Sequence, residues 1–296
     1  MKKTAILLCA MLLSAASASS QNIWNVYEDG SGDAPTIAAA ADSASNGDWI
    51  LIHGGTYHEQ NIIFDGKDVN VDVFGGEAVY LVAPVHRTGE CLIINDATSN
   101  FLLHSLYIEG YATAVTTMDA SPVIEYITIG DCAVAVTISG HSSPTFAYSV
   151  VDSSLTAISV MSTQDVTLRN LTIVGCTNGI VLNSGNILIT RCILYGNNTG
   201  ISCGSATVDL ACNNLHANGV DYSGCSPGPD DFFLDPLFCF QTPSPPYPYL
   251  LHEDSPCLPA TSPCGLGMWL GFSPTVGCSG EGTEEESWGG IKSLFR

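Results

Sequence analysis

Three carboxylates, Glu109, Asp131 and Asp152, fall at intervals of 22 and 21 residues, and two arginines, Arg169 and Arg191, are again 22 apart. Carboxylates held close together either share a proton, as an acid and base pair, or bind a hard cation through their oxygens; calcium is the candidate here. A basic residue beside them can take a proton from a carbon that the cation has acidified, and Arg169 or Arg191 is the candidate for that part. A second row, His104, Glu125, Ala147 and Arg169, repeats at intervals of 21, 22 and 22. Outward acids at chain reversals also simply solvate them, and an arginine beside a glutamate on the next strand is commonly a surface ion pair worth less than about 1 kcal/mol.

The interval belongs to a repeat. Windows starting at Ser99, Ser121, Ser143, Gln164 and Asn186 align by their apolar positions, with a weaker copy at Ala206. One column reads Leu106, Ile127, Ser149, Leu171 and Cys192; the column two places on reads Ile108, Ile129, Val151, Ile173 and Leu194; a third reads Val115, Val136, Ile158, Ile180 and Ile201. Alternation of period two inside each window predicts short strands with one face inward. About 22 residues holding two or three such strands bring the chain back to its start, displaced by roughly one strand spacing of 4.8 Å. The expected fold is therefore all-β, a solenoid of parallel strands, wound right-handed by the general preference of parallel connections. The leucine-rich frame is missing, and so are the Asn-Gly hairpin turns of a sandwich.

With these columns the chain resembles a right-handed parallel β-helix of the pectin-lyase-like superfamily, in its secreted bacterial members. The stretch from Asp33 to Ile62 is similar to the opening segment of that superfamily: a short alanine-rich helix, a Gly-Asp turn, a strand and Gly55-Thr56-Tyr57. Pro35 suits a helical first turn, the alanines at 38–41 favour helix, and Asn46-Gly47 is the expected stop; such a helix would cap the open end of the solenoid. FLDPLFC at 233–239 and YLLHEDSPCLPATSPCG at 249–265 resemble the closing segment. The resemblance implies a β-helix domain over 22–280 with a Cys- and Pro-rich C-terminal cap over 229–280; the residues outside it read as a signal peptide over 1–18 and an acidic linker and tail over 281–296. In the superfamily's enzymes catalytic carboxylates sit on adjacent coils facing an outer groove. That would assign catalysis to Glu109, Asp131 and Asp152 with Arg169 or Arg191, and calcium to the three acids. This chain departs from the enzyme motifs, since Gly140-His141-Ser142 lacks the second glycine of Gly-His-Gly and no paired Asp-Asp accompanies it.

Composition narrows the partners. Eight basic residues against 29 acidic ones give a formal net charge of −21, which repels nucleic acid and anionic surfaces. Lys2 and Lys3, the apolar stretch from Ala5 to Leu13 and Ala16-Ser17-Ala18 read as an export signal, and no segment is long enough to span a membrane as a helix. Without Cys9, eleven cysteines remain; Cys239, Cys257, Cys264 and Cys278 are expected to form two bridges, and Cys192 and Cys212 share a column in which they either pack as thiols or bridge. The expectation is a secreted or surface-exposed, non-catalytic β-helix presenting a face to extracellular polysaccharide or another cell-surface component. The alternatives are a polysaccharide lyase, hydrolase or epimerase, and a structural or adhesion component.

Overall fold

The computed structural model describes residues 21–239, 249–265, 270–273 and 276–278. Residues 1–18, expected to be a signal peptide, and 281–296, expected to be an acidic linker and tail, lie outside the described residues. From Trp49 onward each coil places a strand on each of three faces, and every strand of these faces pairs in parallel with its equivalents one coil away. The first face opens with Ile23–Val26 and closes with Thr207–Ala211. The second face is an 8-stranded sheet running from Gly55–Tyr57 to Asn214–His216. The third face runs from Ile62–Asp65 to Val220–Ser223. Two long strands, Thr156–Arg169 and Asn178–Thr190, pass from the third face into the first face of the next coil without a break.

All three sequence columns point inward: Leu106, Ile127, Ser149, Leu171 and Cys192 are at most 1% exposed, and the other two columns are equally buried. Burying a branched aliphatic side chain contributes about 1.5–3 kcal/mol, so repetition coil after coil holds the tube together. The one hydroxyl in the first column is satisfied, because Ser149 Oγ donates to Ala147 O (2.7 Å) and accepts from Ile127 N (3.2 Å). Chain reversals use left-handed backbone. Between the first and second faces the corner residues Ser105, Tyr126, Tyr148, Asn170, Arg191 and Cys212 all have φ between 48° and 66°. Between the second and third faces the corner column includes Gly110, Asp131, Ser153 and Gly175, again with positive φ. Corner position, rather than residue type, dictates this conformation.

The N-terminal helix spans Ile37–Ser43, two residues beyond Pro35, and stops at Ala44 before Asn46-Gly47. Thr36 is its N-cap, accepting from Ala39 N (3.0 Å), and the Glu59 carboxylate takes the amides of Ile37 (2.8 Å) and Ala38 (2.9 Å). These side chains satisfy amides that a helix start leaves open. Its buried face, Ile37, Ala40 and Ala41, packs on the first strands of the solenoid. Thr36→Ala is expected to cost about 1 kcal/mol in urea unfolding, while Thr36→Ser stays near the parent value.

The C-terminal segment departs from expectation in where it lies. Phe232 bridges in parallel to Asn214, and the following chain folds back along the outside of the second face. Leu251, Leu258 and Leu270 pack with Ile193, and Tyr249 packs with Val150 and Val174. Gly271 N donates to Arg191 O (2.9 Å) and Phe272 N to Thr172 Oγ1 (3.2 Å). The cause is in the windows: Val150, Val174 and Ile193 are apolar on the outer side and need cover.

Among the described residues the disulfides are Cys203–Cys225, Cys212–Cys264 and Cys239–Cys278. Of the four cysteines expected to pair with one another, only Cys239 and Cys278 do so. Cys212 bonds Cys264 rather than Cys192, because its corner position faces the returning segment, while Cys192 points into the core. Cys257 is buried as a thiol, its Sγ accepting from Asn214 Nδ2 (3.2 Å).

Candidate functional site

The acidic corner lies at the end of the second-face strands. Glu109, Gly130 and Asp152 are paired residues of successive coils, and Asp131 follows Gly130 in the left-handed corner column. The three acids therefore occupy two columns, with Glu109 and Asp152 two coils apart, roughly 10 Å at the ordinary strand spacing. Gly130 matters sterically: a Cβ there would sit 2.8 Å from Asp152 Oδ1. Asp152 is only 5% exposed, and Tyr249 of the returning segment donates its hydroxyl to Oδ2 (3.3 Å). Burial pushes the Asp152 carboxyl up to about 6; the Tyr249 hydrogen bond works against this, and the charges of Glu109 and Asp131 add to it. Asp131 moves the other way. Burial raises it, but His86 Nε2 (2.8 Å) and Arg87 Nη2 (2.7 Å) outweigh that and hold its carboxyl below the usual range.

The arginines do not join this corner. Arg169 pairs in register with Ala147, five residues before Asp152, at the opposite edge of the second face. The row His104, Glu125, Ala147 and Arg169 is a true column of the first face. Because Ala147 is small, Arg169 Nη2 reaches past it to Glu125 Oε1 (2.9 Å), and the Arg169 Cζ lies over the Tyr148 ring, 4.5 Å from its centroid. His104 sits between Glu125 (3.5 Å) and Asp72 (3.9 Å). Arg191 is one place beyond Thr190, the partner of Arg169, on the same corner as Tyr126 and Tyr148. The set inferred from spacing thus divides between two edges. Nor do the three acids close up into a cation site: among the described residues, the group of three with ligand atoms within 4.8 Å of one another is His252, Glu253 and Asp254.

What the structure gathers instead is aromatic. A cleft of about 240 Å³ opens at the corner between the first and second faces, lined by Glu77, Ser105, Tyr107, Tyr126, Tyr148 and Phe272 among others. Tyr126 and Tyr148 stack across neighbouring coils (centroids 5.3 Å, planes 11° apart), and Tyr107 stacks on Tyr80 (5.0 Å). A second stack, Tyr27 on His53 (3.9 Å) and His53 on Phe74 (4.4 Å), lies on the N-terminal side. Ser105 takes the corner position ahead of Tyr126, so the cleft falls where a ring is missing from that column. Stacking at the coil spacing follows from parallel register, since equivalent side chains recur about 4.8 Å apart. Sequence reasoning passed over these tyrosines, although Tyr126 and Tyr148 are visible in the aligned windows one place after Glu125 and Ala147. Phe272 had no such signal, because it comes from the returning segment.

Stacked parallel coils with three inward columns define a β-solenoid. The family model for the right-handed β-helix region matches residues 61–220, just over half of the chain, and the chain belongs to that family. No curated protein and no solved structure matches it.

Proposed function

We propose that this protein is an extracellular, non-catalytic glycan-binding β-helix whose binding surface is the tyrosine-lined corner. The observation carrying this reading is the cleft formed by Tyr107, Tyr126, Tyr148 and Phe272 with polar groups at its rim. Sugar rings have an apolar C–H face that packs on aromatic side chains, with hydroxyls left for polar neighbours, and such mixed lining is the usual make-up of small-ligand clefts. Three disulfides fit an oxidising, extracellular setting, and no helix among the described residues is long and apolar enough to cross a membrane. Retardation in native gels containing soluble polysaccharides tests the reading: slowed migration by at least one glycan, with no release of reducing or unsaturated sugars, is expected. Uniform migration in every gel would refute it.

An enzymatic reading, a polysaccharide lyase, hydrolase or epimerase using Glu109, Asp131, Asp152 and Arg169 or Arg191, has the raised Asp152 carboxyl in its favour. Against it stand the cover of Tyr249 over Asp152 and the distance of both arginines from that corner. Sugar release that disappears in Asp152→Asn would establish it. A structural or adhesion role resting on the C-terminal tail concerns residues outside those described.

A further inference from the structure

The geometry points to a cationic glycan, one built of amino sugars with free amines, as the ligand of the tyrosine cleft; this deepens the glycan-binding reading and rests on it. The cleft has aromatic walls and one carboxylate among its lining side chains, Glu77, whose side chain is 47% exposed. Glu77 Oε2 accepts from Gly54 N of the preceding coil (2.6 Å), which fixes the carboxylate at the N-terminal side of the cleft without neutralising it. His53 Nδ1 lies 3.8 Å from the same oxygen. Around the cleft, Asp72 and Glu125 add two further acids, with His104 between them and Arg169 paired with Glu125.

A protonated amine is attracted by the faces of tyrosine rings within about 6 Å and by a carboxylate at the same time, so aromatic walls with one acid select cations over neutral groups. A sugar carrying a carboxylate would meet Glu77 as a like charge, and an acetylated amine would lose both attractions. The net charge of −21 draws a polycation toward the rod at long range. Long-range attraction favours any polycation; the cleft adds selection through Glu77 and the tyrosines.

Calorimetric titration with a glucosamine hexamer, at a pH where its amines are protonated, and with the N-acetylglucosamine hexamer tests the assignment. The free-amine hexamer is expected to bind at least tenfold more tightly, and added salt to weaken it selectively. Glu77→Gln, which keeps an acceptor for Gly54 N, is expected to remove most of that preference and leave the acetylated hexamer unchanged. Tyr126→Asn is expected to weaken both. Equal binding of the two hexamers would overturn the amine assignment and leave glycan binding standing. A free-amine preference as strong in Glu77→Gln as in the parent would overturn it as well, showing attraction to the rod as a whole. Binding of neither hexamer would overturn the amine assignment, and with uniform migration in the polysaccharide gels it would remove the glycan reading too.

Discussion

Exchanging Tyr126 and Tyr148 together for asparagine is expected to lower glycan affinity about 100-fold while leaving the thermal midpoint within a few degrees of the parent. The magnitude follows from stacking of flat rings on aromatic side chains, worth about 1–3 kcal/mol per ring in other ligands, where 1.4 kcal/mol is a factor of ten. The small effect on folding follows from the backbone. Both tyrosines hold left-handed corners, with φ of 57° and 48°, and asparagine adopts that region more readily than a bulky residue. What folding loses is the Tyr126–Tyr148 stack, the edge contact with His104 and the seat of Arg169 over Tyr148, contacts of about 1 kcal/mol each at a surface. The two effects nearly cancel. Calorimetric titration alongside thermal melts checks both halves, and unchanged affinity in the folded double variant would remove the cleft from function.

Asp152→Asn is expected to make the protein more stable at pH 8, by on the order of 2 kcal/mol, and to flatten its stability between pH 4 and 6. The folded carboxyl is pushed up to about 6 from the ordinary 3.8, so between those values the folded state binds more protons than the unfolded one. Stability contributed by the protonated group is fully present below the unfolded value and is lost as pH rises through about 6. Above that, the fold carries a buried charge beneath Tyr249. Asparagine removes the charge and keeps an oxygen to accept from the Tyr249 hydroxyl, so the returning segment stays in place. Urea unfolding of parent and variant at pH 4, 6 and 8 gives the comparison. A variant less stable than the parent at pH 8 would show that the charge itself holds the segment.

Periodicity made the solenoid legible, because an inward column must be apolar in coil after coil, and Ile129, Val151 and Ile173 declare it directly. Register within a corner was harder to read. Glu109, Asp131 and Asp152 look aligned because intervals of 22 and 21 hide a one-place step: Gly130 holds the column and Asp131 takes the turn. In a corner, that step changes which way a side chain faces. The His104 to Arg169 row, at intervals of 21, 22 and 22, follows the true register of the coils and lies within straight strand, so its members share one orientation. Contacts supplied by residues 249–278 were invisible, since nothing in a repeat says which face a non-repeating segment will cover. The outer Val150, Val174 and Ile193 were the available clue, three apolar side chains where a solvated face would be polar.

The most direct test of the account is to follow the aromatic ring protons by NMR during titration with the glucosamine hexamer. Saturable shifts shared by Tyr107, Tyr126, Tyr148 and Phe272, with Tyr249 unmoved, are the predicted result. Shifts centred on Tyr249 and His86 at the acidic corner, with the cleft rings unchanged, would contradict it.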